Sequence, residues 1–380
     1  MPPAARARHD GRMRTRIGRL VAVVAVTVAV TLAGCSRSDD APATTAATSS
    51  APTQARPSSP AAPAEPATAP LVLAISVDGL NPEAIDLLGP RGAPNLHRLV
   101  REGASTMNAR TAYELTITLP NHTGMLTGRG VAGRSGHGVY VNDDLGGTLA
   151  STHGSYVPGV FDVVHDHGLG TAFFAEKEKF GFLMRSWDAD NGARDVTGPD
   201  DGRDKTDVDR IDDAAALIPQ VGKALADADT GLVFLHLAAV DRAGHEDGWL
   251  GASYLAAVQS VDRDLGTLLD VIESSPRLHE RVTILLTADH GGARGATSHD
   301  DAANRADYRV PFIAWGRGVT RGADLYALTA GRADPGDGRP DYSGPQPVRN
   351  IDVADTALSL LELPPVAAAV SSRWPRLRLE

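Results

Sequence analysis

The sequence has few cysteines, few aromatic residues and no excess of basic residues. Its 380 residues include a single cysteine, Cys35, so no disulfide bond can form within the chain. Aromatic residues make up only 5%, and a core must therefore depend on aliphatic side chains. The formal net charge of −10 argues against a nucleic-acid-binding surface. The length suits one large α/β domain or two ordinary ones.

The first 34 residues have the features of an export signal. An arginine-rich stretch precedes the uncharged run 20–33, which is too short to span a bilayer comfortably. The sequence Leu32-Ala33-Gly34-Cys35 follows it and resembles the bacterial lipobox. We therefore predict a lipoprotein signal peptide at residues 1–34 and a lipid on Cys35, which would anchor the protein to the outer face of the bacterial cell membrane. The alternatives are an ordinary signal peptide, or a short membrane anchor, with an incidental cysteine.

The segment after the cysteine is rich in Ala, Pro, Thr and Ser, with almost nothing to bury. Such a composition cannot offset the entropy of ordering, so we predict a disordered tether at residues 35–70. Removal of residues 1–34 takes away six arginines and one acid and changes the formal net charge from −10 to −15. The exported part is thus expected to be acidic. We expect a globular domain at residues 71–365 and a C-terminal tail at residues 366–380.

Alternating apolar runs and amphipathic segments indicate the fold class. Residues 71–77 form a continuous apolar run, typical of a strand that is buried on both faces of a parallel sheet. Residues 255–272 place their apolar side chains at helical spacing on one face. Strands alternating with helices predict an α/β fold, a doubly wound and largely parallel sheet with helices on both faces. Further strands are expected at 171–175, 231–240, 282–288 and 310–315, and further helices at 95–102, 160–167, 212–227 and 351–363, with Pro219 kinking or breaking the third of these.

Three of the predicted strands each lead into an aspartate: Asp78, Asp241 and Asp289. Ligands of open α/β sheets bind beyond the carboxyl ends of the strands, so these carboxylates point to one site. Three histidines follow in the same regions: His245, His290 and His299. Such a set suits zinc, manganese or iron rather than thiolate chemistry. Each residue alone is more often a cap or a satisfied polar group, but all six together are hard to explain in that way.

The segment 116–124 passes from apolar residues through Pro120 into Thr and Gly, which predicts a loop that leads into a helix N-terminus. Such a terminus is a ready anion site. A hydroxyl at that point, coordinated by a metal, would lose its proton easily and become a nucleophile. On this segment alone, a plain Thr or Ser N-cap is the better interpretation.

Five short motifs, taken together, indicate more than this segment does alone. They are Asp78-Gly79, Thr118-Leu119-Pro120-Asn121-His122, Gly136-His137-Gly138 with Asn142, Asp241-x-x-Gly244-His245, and Asp289-His290-Gly291. Their order and spacing resemble the alkaline phosphatase superfamily, and most closely its type I phosphodiesterase/nucleotide pyrophosphatase branch. The resemblance covers roughly residues 71–363 and implies an alkaline-phosphatase-like core.

The resemblance also implies a phosphoric ester hydrolase with a threonine nucleophile and two divalent metal ions, expected to be Zn²⁺. Thr118 matches the nucleophile, and Asn142 matches an asparagine that donates a hydrogen bond to a phosphoryl oxygen. In many relatives the last histidine ligand lies far downstream, whereas here no histidine follows His299. Either His299 takes that role or the second site is incomplete. We favour His299 because it lies in a polar loop after a predicted strand. The implied ligands are Asp78, Asp289 and His290 for the metal that also binds Thr118, and Asp241, His245 and His299 for the second metal.

The substrate is less well defined by the sequence. Lys177 and Lys179 resemble a Lys-x-Lys element of phosphonoacetate hydrolase and of some threonine-type phosphomonoesterases, in which the lysines neutralise a terminal phosphate or carboxylate. If both reach the site, a dianionic monoester would be favoured over a diester. The alternative is a solvated charge run, with the lysines paired to Glu176 and Glu178.

We expect hydrolysis of phosphodiester or pyrophosphate bonds in nucleotides or related small phosphorylated molecules. The nearest alternative is a phosphomonoesterase or phosphonoacetate-hydrolase-like enzyme on the same scaffold. Two others are a metal-bearing surface lipoprotein that binds a phosphorylated ligand without turnover, and transfer of the group to an acceptor other than water.

Overall fold

The computed structural model describes residues 69–380. The predicted signal peptide, Cys35 and nearly all of the predicted tether lie outside the described residues. Within residues 69–380, no helix combines the length and the apolar character needed to cross a membrane.

An eight-stranded sheet forms the centre of the fold. Its strands are β1 (Leu71–Val77), β2 (Ala104–Arg110), β3 (Gly170–Ala175), β4 (Val208–Ile211), β5 (Thr230–Leu237), β6 (Val282–Thr287), β7 (Arg309–Gly316) and β8 (Ala323–Asp324). They lie in the order β4-β3-β5-β1-β6-β7-β2-β8. Every neighbouring pair is parallel except the two that involve β7, which runs antiparallel to β6 and β2. The predicted largely parallel sheet is confirmed.

Strand β7 is reversed because the chain does not cross back over the sheet after β6. For two parallel strands in sequence, the chain must return from the carboxyl end of the first to the opposite end of the sheet, usually through a helix. The segment 288–308 instead remains at the carboxyl end of β6 and carries Asp289, His290 and His299, so the next strand must start from that edge. The loop that contributes site residues thus also sets the direction of β7.

Helices cover both faces of the sheet, as the doubly wound prediction requires. They are α1 (Pro82–Gly92), α2 (Pro94–Glu102), α3 (Thr118–Thr127), α4 (Leu149–His153), α5 (Val160–Asp166), α6 (Gly181–Ser186), α7 (Ala214–Ala226), α8 (Ala239–Asp247), α9 (Ala252–Ser274), α10 (Pro276–His279), α11 (Arg305–Tyr308), α12 (Leu325–Leu328) and α13 (Asp352–Leu360), with 3-10 turns at Glu178–Phe180 and Ser371–Arg373. Helices α1, α2, α7 and α9 pack together on one face, and α3, α5 and α13 pack together on the other.

Helix α7 continues through Pro219, so the predicted break there is wrong. Proline removes one helical hydrogen bond, but Pro219 is exposed, where water can satisfy the freed carbonyl. Leu217 and Val221 on the opposite side are fully buried and hold the helix against the sheet. Asp213 also caps its N-terminus by accepting from the amide of Ala216 at 3.0 Å.

Strand β5 ends at Leu237 rather than at the predicted Val240, because helix α8 begins at Ala239. Asp241 therefore lies in the first turn of a helix and not directly at the end of a strand. This change brings Asp241 and His245 one helical turn apart, on the same side of α8.

The segment 366–380 packs onto the same compact unit as the sheet. Leu377 and Leu379 are buried, and the amide of Thr320 donates to the carbonyl of Leu379 at 2.7 Å.

Candidate active site

The candidate site lies at the carboxyl edge of the sheet. Asp78 follows β1, Lys177 follows β3, Asp241 lies beyond β5, and Asp289 lies beyond β6. Strand β1 lies between β5 and β6, with β3 next to β5, so these four side chains come from adjacent strands. The expectation that the three aspartates share one site agrees with this topology.

The acids and imidazoles form two clusters of three, and within each cluster the possible ligand atoms lie within 4.8 Å of one another. The first cluster is fully buried, whereas His245 of the second is 47% exposed, so the second cluster opens toward solvent. The first cluster consists of Asp78, Asp289 and His290, and the second of Asp241, His245 and His299. The structure thus brings together the same two sets that the resemblance implied.

Four buried polar atoms of these clusters have no hydrogen-bond partner: Asp78 Oδ1, Asp241 Oδ1, Asp289 Oδ2 and His290 Nε2. His290 Nε2 lies 3.4, 3.7 and 3.2 Å from the unpartnered oxygens of Asp78, Asp241 and Asp289, respectively. Buried carboxylate oxygens without partners are costly unless a cation compensates them. This donor set therefore fits divalent cations.

The three histidines are oriented in the same way by backbone carbonyls. A carbonyl oxygen can only accept, so Nδ1 of each ring must carry the proton, and Nε2 is left with a lone pair when the ring is neutral. Histidines that bind metals commonly use one nitrogen on the metal and donate the other N–H in this manner. The contacts are His290 Nδ1 to Gly291 O at 2.9 Å, His245 Nδ1 to Thr297 O at 2.9 Å, and His299 Nδ1 to Thr116 O at 2.6 Å.

Thr118 is the first residue of helix α3 and is buried. Within residues 69–380 its hydroxyl makes no hydrogen bond, which leaves the oxygen free to react. The side chain of Asn142 lies beside it, since Asn142 Oδ1 accepts from the amide of Leu119 at 2.9 Å. The amide group of Asn142 is thereby left to donate elsewhere. Thr118 and Asn142 thus lie together at a helix N-terminus, and the composition of the segment 116–124 predicted a helix start there.

The start of α3 is tied to both clusters. His122 Nδ1 lies 3.6 Å from Asp289 Oδ2 of the first cluster. The hydroxyl of Thr116 donates to the carbonyl of His299 in the second cluster at 2.6 Å, and His299 Nδ1 returns a hydrogen bond to Thr116. The hydrogen bonds between Thr116 and His299 attach the Thr118 region to the second cluster, and His122 places it next to the first.

Two histidines that the sequence argument gave no role, His122 and His236, support the site. His236 Nε2 donates to Asp78 Oδ2 at 2.8 Å, and its Nδ1 accepts from the amide of Glu176 at 3.2 Å. His122 contacts Thr118 O through Nδ1 and Ser76 Oγ through Nε2, both at 2.8 Å. Burial lowers the pKa of both histidines to about 4, so each ring is neutral. The available signal for His236 was a histidine inside the otherwise apolar run of β5.

Trp249 supports the second cluster and explains a glycine of the Asp-x-x-Gly-His motif. Its ring centroid lies 5.2 Å from that of His245 and 5.4 Å from that of His299. A Cβ atom at Gly244 would lie 2.6 Å from the indole, and one at Gly292 would lie 2.3 Å from it. The indole fits between α8 and the loop after β6 only because both positions lack a side chain.

Lys177 and Lys179 do not form a solvated charge run. Lys177 Nζ contacts Asp78 Oδ2 and Asp241 Oδ2, each at 2.6 Å, and its side chain is only 14% exposed. Glu176 is not its partner, because Glu176 accepts from the amide of Ala238 at 2.6 Å. Lys179 is half-buried, and burial together with the Lys177 charge lowers its pKa.

The pKa shifts within the first cluster indicate that a positive charge would stabilise it. Burial alone would raise the pKa of Asp78, but Lys177 and His236 hold it well below its usual value. Burial and the neighbouring charge of Asp78 raise the pKa of Asp289. Burial opposes the charged form of His290, yet the charges of Asp289 and Asp78 raise its pKa. The buried negative charge of Asp78 thus raises the pKa of its neighbours Asp289 and His290, and a divalent cation at this cluster would offset that negative charge.

Residues 72–308 match the sequence model of the type I phosphodiesterase/nucleotide pyrophosphatase family. The chain belongs to this family. Membership confirms the resemblance and places the chain among proteins that act on phosphoric esters.

Curated relatives match a shorter segment. GPI ethanolamine phosphate transferase 1 of Yarrowia lipolytica is 33% identical over 94 residues, 25% of this chain and 10% of that protein. The protein of the same name from Saccharomyces cerevisiae is 30% identical over 93 residues, 24% of this chain and 10% of that protein. The matched segment therefore spans about a tenth of the length of these relatives.

Solved structures share the fold. One is murine ectonucleotide pyrophosphatase/phosphodiesterase 5, studied as an inactive threonine-to-alanine variant in complex with AMP. It has a TM-score of 0.56 and 13% identity, and the match covers 81% of this chain and 100% of that chain. At this identity the likeness shows the fold alone, and it confirms the predicted alkaline-phosphatase-like α/β core.

Proposed function

We propose that this protein is a two-metal hydrolase of phosphodiester or pyrophosphate bonds, with Thr118 as its nucleophile. The observation that carries the proposal is the pair of acid–imidazole clusters beside the helix start that presents the Thr118 hydroxyl. Asp78, Asp289 and His290 would hold one cation together with Thr118. The second cluster, which contains His299, would hold the other.

The donor types match a pair of divalent cations, and zinc fits nitrogen and carboxylate donors well. When bound, the cations would lower the pKa of the Thr118 hydroxyl and stabilise negative charge on the phosphoryl group. The unpartnered oxygens of Asp78, Asp241 and Asp289 support this assignment because they would otherwise be buried without compensation.

The reaction assigned to the chain's own residues has two displacement steps. The Thr118 oxygen attacks phosphorus in line with the leaving group, so one P–O bond forms and the P–O bond to the leaving group breaks. The Thr118 hydroxyl gives up its proton, and the leaving oxygen takes up a proton from solvent or departs as an anion. The Asn142 amide group, whose oxygen already accepts from Leu119, donates to a phosphoryl oxygen. Water then attacks phosphorus, the bond to Thr118 breaks, and the threonine oxygen regains a proton.

We propose a small nucleotide-like phosphodiester or pyrophosphate as the substrate class. The family name supports this class, and the related murine fold was studied with AMP. The strongly acidic exported part would repel polyanions, which favours small substrates over nucleic acid.

A second candidate function is transfer of the phosphorylated group to an alcohol. The two relatives that match this chain over 94 and 93 residues are named as transferases. Their similarity supports a reaction in which Thr118 attacks phosphorus as before, but an alcohol rather than water then accepts the phosphorylated group. Transfer and hydrolysis are distinguished by the products: an added alcohol, such as glycerol, would appear as a phosphorylated product in one case and not in the other.

We also propose that the protein is exported and held at the outer face of the cell membrane by a lipid on Cys35. The basic start, the apolar run and the Leu-Ala-Gly-Cys sequence support this localisation.

The test of the proposed activity compares kcat/KM for bis(4-nitrophenyl) phosphate with that for 4-nitrophenyl phosphate in zinc-loaded protein. We expect the diester to be preferred and the Thr118→Ala variant to lose turnover of both. A preference for the monoester would move the assignment to a phosphomonoesterase. Failure to turn over either compound, with zinc bound, would contradict an ester hydrolase and favour a binding protein.

A further inference from the structure

Lys177 binds one oxygen of each of two carboxylates that belong to different clusters. Its ammonium group contacts Asp78 Oδ2 and Asp241 Oδ2, each at 2.6 Å. The other oxygen of each carboxylate, Oδ1, has no hydrogen-bond partner. These two free oxygens lie 3.4 and 3.7 Å from His290 Nε2. One side of each carboxylate is therefore fixed by Lys177, while the other side is directed into the cluster region.

The backbone that carries Lys177 is itself held in place. The amide of Glu176 donates to His236 Nδ1 at 3.2 Å, and its carbonyl accepts from Arg242 of α8 at 2.8 Å. The Glu176 carboxylate accepts from the amide of Ala238 at 2.6 Å. This segment is thus attached to β5 and to the start of α8, the helix that presents Asp241. Lys177 and Asp241 are positioned by the same contacts.

The burial of Lys177 agrees with this geometry. Its side chain is only 14% exposed, and its ammonium group lies against the carboxylates of Asp78 and Asp241. Such a buried charge is kept only when its hydrogen bonds are made, because an unpaired buried ion is strongly unfavourable.

Lys179, the second lysine of the same element, has a different environment from Lys177. It lies two residues further along and is half-buried, and its side chain makes no hydrogen bond within residues 69–380. Its ammonium group is therefore free for an anion, whereas two of the three N–H bonds of Lys177 are already directed at carboxylates.

We propose that Lys177 is a positioning residue that links the two cation-binding clusters, holding Asp78 and Asp241 with Oδ1 of each directed inward. This inference rests on the proposed two-metal function. It assigns to Lys177 a role different from contact with the substrate anion, and it leaves that contact to Lys179. The two lysines of one Lys-x-Lys element thus have separate tasks.

The test uses Lys177→Met and Lys179→Met in the full chain, with cobalt(II) in place of zinc. The visible absorption of cobalt(II) reports the geometry of its ligands and does not depend on turnover. We expect Lys177→Met to change the cobalt spectrum, and Lys179→Met to retain the wild-type spectrum. With the diester substrate, we expect Lys177→Met to lower kcat by about tenfold or more with little change in KM, and Lys179→Met mainly to raise KM.

A wild-type cobalt spectrum in Lys177→Met, together with a raised KM, would overturn the inference and make Lys177 a substrate contact. Wild-type protein that binds no cobalt would instead refute the two-metal function itself, so the two failures are distinguishable. If Lys177→Met does not fold, Lys177→Gln is judged by the same criteria, because its shorter, uncharged amide lacks the positive charge that attracts both carboxylates.

Discussion

Replacement of Asn142 separates two roles that the structure gives to one side chain. Asn142 Oδ1 accepts from the amide of Leu119 at 2.9 Å and so caps helix α3, whose own N-cap residue, Ile117, provides no side-chain hydrogen bond. The amide group of Asn142 is free to donate to a phosphoryl oxygen. Asn142→Ala removes both interactions, whereas Asn142→Asp keeps the acceptor and removes the donor.

The expected magnitudes differ for the two roles. Loss of a capping acceptor typically costs about 0.5–2 kcal/mol of stability. Loss of one donor to a developing oxyanion typically lowers kcat by about 100- to 1,000-fold. We therefore expect Asn142→Ala to show both effects. For Asn142→Asp we expect near-wild-type stability and a loss of activity at least as large, because its carboxylate cannot donate and repels the phosphoryl group.

The assay combines urea unfolding, for the free energy of unfolding, with kcat and KM for bis(4-nitrophenyl) phosphate. Full metal content in each variant is the necessary control. Retention of wild-type kcat by Asn142→Asp would refute the assigned hydrogen bond to the phosphoryl oxygen. Unchanged stability of Asn142→Ala would refute the capping role.

Three further predictions concern the metals, the packing and the lipid. Removal of divalent cations by a chelator should abolish turnover and lower the melting temperature, and zinc should restore both; full activity in metal-free protein would contradict the two-metal assignment. Gly244→Ala should destabilise the protein by about 1–3 kcal/mol in urea unfolding, because its Cβ would lie 2.6 Å from Trp249. Gly222→Ala in helix α7, whose Cβ would meet Val271 at an ordinary 3.6 Å, should be neutral or stabilising, and an equal loss in both variants would exclude the steric explanation. Cys35→Ser should abolish incorporation of a labelled fatty acid in cells, and absence of label from the wild-type protein would contradict the lipoprotein prediction.

Five of the eight strands (β1, β3, β5, β6 and β7) and the six acid and imidazole residues could be predicted because each depends on local pattern, whereas β2, β4 and β8 were not predicted. Continuous apolar runs identify strands that are buried on both faces, and the carboxyl ends of parallel strands meet at one edge. Asp78 and Asp289 follow such runs directly, so their approach to one another follows from topology alone. Placement of Thr118 at the start of a helix was likewise predicted from the change in composition around Pro120.

Other features depend on contacts that no local pattern reveals. Helix α7 tolerates Pro219 because the surrounding packing leaves that position exposed. The location of Asp241 in α8 depends on where β5 ends, which the apolar sequence on both sides of that boundary does not mark. Lys177 could be named from its motif, but its contacts with two carboxylates arise from the adjacency of β3, β5 and β1.

The central claim is most directly tested by trapping the covalent intermediate on Thr118. Zinc-loaded protein would be mixed with bis(4-nitrophenyl) phosphate, quenched in acid within the first turnover, digested and examined by mass spectrometry. The account predicts a phosphorylated or nitrophenyl-phosphorylated adduct on Thr118, and none in Thr118→Ala. Turnover by Thr118→Ala at the wild-type rate, with no adduct on the wild-type threonine, would contradict it.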